Sequence, residues 1–381
     1  MPIYLDNSAT TRVCDAAAAA MMQCMQAGYF NPSAVYGPAL ETEKMMRACR
    51  ETLLRSVHAR TGSQAIFTSG GTEADNLAIL GRLSGMRGGR ILYSAGEHPA
   101  VKEACLAAEA MGFEAHSVPY DHTGAVDLDA LEKLMTPDTR LICCMQVNNE
   151  TGAIQPLSEI AALRARRAPE AHFHVDGVQG FLRVPFDMPG VQADSYALSG
   201  HKIHGPKGIG ALILAPGVRV HPRALGGGQE SGLRSGTENT PGIAGLLAAV
   251  EAYPLENGMR QVKLHLWQRL REAIPDAAVN GPAPDSDLAA PHILNVSLPP
   301  VRSETMLHAL EGAGIYVGMG SACSSHKQKV SAVLRAMNTP QRLAESALRF
   351  SLCPENTLAE MEQVAAACGQ NYAVLSKFQR R

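Results

Sequence analysis

Residues 199–210 read Ser-Gly-His-Lys-Ile-His-Gly-Pro-Lys-Gly-Ile-Gly, directly after the apolar run 193–198. Lys202 therefore sits among small, hydroxylic and basic residues at the end of a hydrophobic stretch. A lysine that forms Schiff bases needs such a setting, because desolvation or a neighbouring cation lowers its pKa and close backbone packing fixes its reach. A glycine-rich turn with solvated basic side chains has the same composition, so the segment alone leaves both readings open. A second candidate is Cys323, in the small-residue stretch 318–325 with His326, Lys327 and Lys329 close behind. Positive surroundings lower a thiol pKa and raise the fraction of nucleophilic thiolate.

Other residue types could serve the same chemistry. Asp176 ends the buried-strand pattern 172–175, where a carboxylate can hold a pyridinium nitrogen protonated or simply cap a turn. Thr68-Ser69-Gly70-Gly71-Thr72 lies between a strand pattern and a helix pattern, so Gly71 and Thr72 could cradle an anion at a helix N-terminus. The GK[ST] ending of a P-loop is missing. His98 could stack on an aromatic ring or shuttle protons, and an ordinary surface or core histidine is the alternative. Asn149, in Asn148-Asn149-Glu150, suits a ring hydroxyl or a substrate carboxylate, and a turn explains it equally well. Arg349, inside the strand pattern 347–351, offers a planar guanidinium for a carboxylate. Segment 233–237, which contains Thr237, is another glycine-containing, anion-friendly stretch.

The elements that must position these residues alternate along the chain. Strand patterns at 65–67, 90–93, 114–118, 141–147, 172–175, 195–198 and 211–214 are interspersed with helix patterns at 34–58, 73–83, 100–111 and 128–135. That alternation predicts a mainly parallel sheet covered on both faces. Beyond about residue 241 come a long helical region at 243–272, a connector rich in Pro, Asp and Ala at 275–291, and then strands at 293–298 and 347–352 among helices. The chain thus divides into an N-terminal arm (1–13), a large domain (14–250) and a smaller α+β domain (251–381).

Composition excludes several classes. The 381 residues exceed what one hydrophobic core usually supports, which also predicts two domains. A net charge of −2 gives no footprint for nucleic acid or an anionic membrane, and no apolar run is long enough to span a bilayer. The first residues lack a signal-peptide pattern, and nine cysteines without a CxxC pair suggest reduced thiols in a cytoplasm and no metal site.

Taken in order, YLDNSATT, FTSGGTEADNLAI, VNNETG, HVDGVQ, SGHKIHGPKGIGAL, LRSGTEN, GSACSS and LRFSL resemble the motifs of the cysteine desulfurases, the NifS/IscS-like branch of the class V aminotransferases. The resemblance runs over nearly the whole chain. It implies fold type I of the pyridoxal-phosphate-dependent transferases, an α/β fold with a mainly parallel seven-stranded sheet, and a homodimer. It implies that Lys202 is the Schiff-base lysine for pyridoxal 5'-phosphate and moves protons on the substrate. Asp176 would pair with the ring nitrogen, Gln179 with the ring oxygen, and His98 would stack on the ring. Gly71, Thr72, Ser199 and His201 would surround the phosphate, with Thr237 reaching it from the neighbouring subunit. Asn149 and Arg349 would hold the carboxylate of L-cysteine, and Cys323 would take its sulfur as a persulfide. An iron–sulfur scaffold or a thiolation enzyme would accept that sulfur, with L-alanine as the other product. The same resemblance admits a selenocysteine lyase, another lyase or transaminase, or a docking platform for sulfur-transfer proteins with little turnover. The chain departs from the family pattern at Ser231, at Arg183, and on both sides of Cys323, where the acceptor is met.

Overall fold

Six strands of one sheet point the same way, and their carboxyl ends carry most of the residues singled out above. In the computed structural model, which describes residues 2–319 and 330–378, the sheet runs in the order Gln64–Thr68, Gly210–Leu214, Ser195–Ser199, His172–Asp176, Thr139–Met145, Gly89–Ser94, Phe113–Val118. Gly210–Leu214 runs antiparallel to both neighbours, and the remaining pairs are parallel. The expected seven-stranded, mainly parallel α/β architecture is the one observed. Cys323 and its neighbours His326, Lys327 and Lys329 lie outside the described residues.

Coverage on both faces explains why the central strands read as near-continuous apolar runs. Along Thr139–Met145, Ile142 and Cys144 join a core with Leu157, Ile160 and Phe173, while Leu141 and Cys143 pack with Val101, Ala104 and Cys105 on the opposite side. Alternation along a strand sends successive side chains to opposite faces, and here both faces are dry. A separate core gathers Leu5, Leu266, Leu294, Phe350 and Met361. It lies around the antiparallel sheet Ala347–Ser351, Ile293–Ser297 and Ala278–Val279, with strand Ile3–Leu5 paired in parallel to Ile315–Val317.

Several boundaries differ from the sequence expectation. The helical region 243–272 is two helices, Thr240–Ala252 and Met259–Ala273. Pro254 separates them, since it lacks an N–H and biases the preceding residue towards extended backbone, and Tyr253 is indeed extended. Connector 275–291 contains the short strand Ala278–Val279. Helix Asp15–Gln26 has no counterpart in the expected elements, because its run of five alanines gives helix propensity but little apolar periodicity. Val333, Leu334 and Met337, on the far side of the Cys323 segment, join the core of the large sheet. Among the described residues no helix is long and apolar enough to cross a membrane.

One ion pair fastens segment 230–236 to the sheet edge. Both guanidinium Nη atoms of Arg50 donate to Glu230, at 2.7 and 2.8 Å, and the Phe67 amide donates to the same carboxylate at 2.9 Å. Arg50 also lies over the Phe67 ring, 4.4 Å from its centroid. Glu230 and Ser231 take up left-handed backbone (φ 49° and 57°), which this anchor holds in place. Glu230→Ala strands a half-buried cation and an amide, so it should lower unfolding stability by about 2–3 kcal/mol. Urea denaturation checks this, with Glu230→Gln, which retains an acceptor for Phe67, expected to lose less.

Candidate active site

Lys202 ends the short 3-10 turn Gly200–Lys202 that closes strand Ser195–Ser199. Its Nζ donates to the carbonyls of Ser8 and Ala9, at 2.6 and 2.8 Å. The N-terminal arm is pinned along this turn. Thr11 donates to the His201 carbonyl through both its amide and its hydroxyl (2.9 and 3.0 Å), and Thr10 Oγ1 meets His201 Nδ1 at 3.1 Å. From the other side, buried Arg183 donates to Gln179 Oε1 at 3.0 Å and to the Lys202 carbonyl. Gln179 in turn donates to the Ser8 carbonyl at 2.9 Å. The lysine and the glutamine are thus located by one connected set of hydrogen bonds.

Asp176 closes the adjacent strand, opposite Met145 and Ala197. One carboxylate oxygen accepts from the Val178 amide at 2.9 Å, so the residue does cap a turn. The other oxygen has no hydrogen bond within the described residues and remains for a cationic donor. Burial pushes the Asp176 pKa up, while the Val178 amide, His98 and Lys202 pull it back. His98 caps helix Pro99–Ala107 by accepting from the Ala100 amide at 3.2 Å. Burial lowers its pKa against the pull of Asp176, and Lys202 lowers it further, so the ring is neutral near pH 7. His201 is pushed down to about 4 by burial and by Lys202, and it too is neutral.

Ser69-Gly70-Gly71 leaves the carboxyl end of Gln64–Thr68 and opens helix Gly71–Leu83. A Cβ on Gly71 would lie 2.5 Å from Val178 Cγ2, so the backbone reaches this spot only as glycine. Ser199 Oγ is beside the same turn, 3.6 Å from where a Cβ on Gly70 would lie. Thr72 does not act as the helix cap: Gly70 holds that position with no side-chain cap, which leaves the first amides of the helix for an anion. Thr72 itself is exposed in the first turn.

Arg349, 2% exposed, donates to the Asn149 carbonyl at 2.9 Å and to Asp6 Oδ1 at 2.7 Å. It is the neighbouring Asn148 that builds the turn, accepting at 3.0 Å from the amides of both Glu150 and Thr151. The Asn149 side chain makes no hydrogen bond within the described residues, which leaves it for a ligand. Gly318 pairs its backbone with Arg349 in both directions, at 2.9 and 2.7 Å. A side chain there would lie 2.6 Å from Asp6 Oδ1. Thr237 is exposed, between Gly236 and Glu238, which border a small cleft with Thr68 and Ser69.

These residues fit a phosphorylated, aldehyde-bearing pyridine. The uncapped helix start and Ser199 suit a phosphate, the spare oxygen of Asp176 suits a protonated ring nitrogen, and the Lys202 amine suits an aldehyde. Ser8 Oγ, buried at the same place, has no partner of its own. The family description for class-V aminotransferases matches residues 3–364. The chain belongs to that family, in its cysteine desulfurase branch. A cysteine desulfurase of Gluconacetobacter diazotrophicus is 39% identical over 95% of this chain and 91% of its own. A solved NifS-like protein superposes with a TM-score of 0.91 at 34% identity, over 98% of this chain and all of the other. A structure described as SspA in complex with cysteine gives a TM-score of 0.80 at 29% identity, over 93% of this chain and all of the other. Members of this family work with pyridoxal phosphate.

Three contributors to this class-V site were not legible as such in the sequence. The arm carbonyls of Ser8 and Ala9 are backbone groups and carry no residue signature. Arg183 stood out only as a departure from the family pattern, yet it bridges Gln179 and Lys202. Glu97, next to His98, is buried. Its Oε1 accepts from Ser94 and from the Met145 amide (2.7 Å), while Oε2 is buried without a partner.

Burial and then the charge of Asp176 push the Glu97 pKa up to about 8, so Glu97 carries a proton at neutral pH. In the unfolded chain the same carboxyl titrates near 4.5. Between these values the folded state binds the extra proton, so the contribution of Glu97 to stability is full below about 4.5 and is lost as pH rises through about 8. The slope from one such group is at most about 1.4 kcal/mol per pH unit. Glu97→Gln, which cannot ionise, should flatten the fall in urea-unfolding stability between pH 5 and 8, leaving a curve whose difference from wild type grows with pH.

Proposed function

We propose that this enzyme converts L-cysteine to L-alanine and carries the released sulfur as a persulfide on Cys323. The observation that supports it most directly is the backbone pairing of Gly318 with Arg349. Cys323 follows Gly318 by five residues, a reach of at most about 18 Å. On the other side of the segment, Ser331 donates to Glu150, which follows Asn149. A thiol in this segment is thus tethered at both ends beside the residues proposed to hold the substrate.

In this reading Arg349 and Asn149 bind the substrate carboxylate. Gly71, Thr72, Ser199 and His201 receive the cofactor phosphate, Asp176 and Gln179 its ring, and His98 stacks on it. Pyridoxal phosphate, when bound, supplies an electron sink that eases bond breaking at an amino acid's α and β carbons. Lys202 Nζ, released from the Ser8 and Ala9 carbonyls, takes and returns protons at the substrate carbons. The Cys323 thiolate attacks the substrate sulfur. An S–S bond forms as the Cβ–S bond breaks, and the carbon side keeps the electron pair and takes a proton. Sulfur is oxidised to the persulfide level while carbon is reduced to the methyl of alanine, so no outside oxidant is needed. The persulfide then passes to an acceptor such as an iron–sulfur scaffold or a thiolation enzyme, in the cytoplasm. Thr237 completes the phosphate site of a second copy in a homodimer. The division into domains 14–250 and 251–381 follows the two separate cores, except that Val333, Leu334, Met337, Ala344 and Ala347 pack into the core of the large sheet.

Purified wild type should be yellow and should release alanine and sulfide from L-cysteine in the presence of a thiol reductant. Cys323→Ser should stay yellow and lose desulfuration. Undiminished sulfide release from that variant overturns the assignment of the nucleophile. Arg349→Lys, which loses the planar fork, should raise KM for L-cysteine at least tenfold.

A further inference from the structure

Behind the Lys202 turn, away from the groups assigned above, a histidine faces a thiol and a carboxylate. His204 follows Lys202 by two residues, is 8% exposed and has left-handed backbone (φ 62°). Its Nδ1 lies 3.0 Å from the Arg12 carbonyl. A carbonyl only accepts, so Nδ1 carries the hydrogen and Nε2 presents a bare lone pair. That Nε2 is buried and has no hydrogen-bond partner. The ligating atoms of His204, Cys353 and Glu355 all lie within 4.8 Å of one another, with Nε2 3.8 Å from a Glu355 oxygen. We propose that His204, Cys353 and Glu355 bind one divalent transition-metal ion of the zinc class.

The donor set is one imidazole, one thiol and one carboxylate, which favours zinc-like ions over magnesium or calcium. Bond lengths of about 2.0–2.3 Å put tetrahedral ligand atoms roughly 3.3–3.8 Å apart, so the three need to close by about an ångström. Nδ1–H donation to a carbonyl is the arrangement that orients a metal-binding imidazole. Cys353 Sγ now donates to Asn356 Oδ1 at 3.4 Å, and the ion would replace that bond. Burial and the nearby Glu355 push the Cys353 thiol up to about 12, and burial lowers the His204 pKa, which keeps the imidazole neutral. A divalent cation reverses the thiol's preference and releases its proton on binding. Thiolate and carboxylate together offset the ion's charge beside Arg183 and Arg12. Glu355, 68% exposed in its side chain, gives the ion a path in and leaves the fourth position to water. The ion would tie the Lys202 turn, the arm at Arg12 and the chain just beyond the Arg349 strand.

The test uses the full-length protein with its cofactor bound, freed of metal by a chelator and titrated with zinc by calorimetry and with cobalt(II) by absorption. One ion per chain and a thiolate-to-cobalt charge-transfer band are expected, together with a zinc-dependent rise in melting temperature. Cys353→Ala should abolish the band and the zinc binding. His204→Asn, a residue that tolerates positive φ, should weaken zinc at least tenfold. Cys323→Ser should bind as wild type does, which separates this site from the other proposed thiol. Melting curves and the cofactor absorption verify that each variant is folded. Absence of stoichiometric binding to wild type, or equal binding by Cys353→Ala, overturns the proposal.

Discussion

The constraint that most shapes the site is the charge of one buried carboxylate, Asp176, at the carboxyl end of strand His172–Asp176. Two other acidic residues share its surroundings. Glu97 and fully buried Asp75 are both pushed up, by burial first and by the charge of Asp176 next. Adjacent buried carboxylates cannot all carry charge in a low dielectric, so Glu97 keeps its proton at neutral pH, while the Val178 amide and Lys202 favour the charged form of Asp176. These buried groups also find partners. Asp75 meets His174 Nε2 at 3.1 Å, and His174 and His172 share Ser195 Oγ at 2.9 and 2.7 Å, so a strand whose inward residues are histidines is still satisfied.

Parallel strand direction converts this local chemistry into a site. Lys202, Asp176, Asn149 and His98 follow the carboxyl ends of four neighbouring strands, and Gly71 follows a fifth that points the same way. Such ends are where open α/β sheets bind ligands. The single reversed strand, Gly210–Leu214, separates the glycine turn from the lysine strand by one strand width while letting Ser199 sit beside Gly70.

The sequence exposed this arrangement unevenly, for physical reasons. Strands such as His172–Asp176 and Ser195–Ser199 were legible because both faces are buried, and their chemistry-bearing residues fall at their ends. Helix Asp15–Gln26 was not, because alanine carries propensity without a sided pattern. The interruption near Pro254 was signalled by the proline itself and lost in a window of strong helix formers. At residue level, Asp176 and Asn149 each had an innocent explanation. The structure shows that Asp176 caps a turn with one oxygen and keeps the other, and that Asn148, not Asn149, makes the turn. The arm carbonyls that hold Lys202 could not be read from side chains at all.

The arm also sets a schedule for synthesis. Asn7 donates to the Ser351 carbonyl at 2.9 Å across 344 residues, and Asp6 takes Arg349 across 343. Closure of so long a loop is slow compared with local pairing. On the ribosome, segment 6–8 therefore waits until strand Ala347–Ser351 has been made. The large sheet has its strands available after Leu214, but Arg349 is not yet made. The surroundings of Lys202 and of Arg349 are thus completed together, only once strand Ala347–Ser351 has been made.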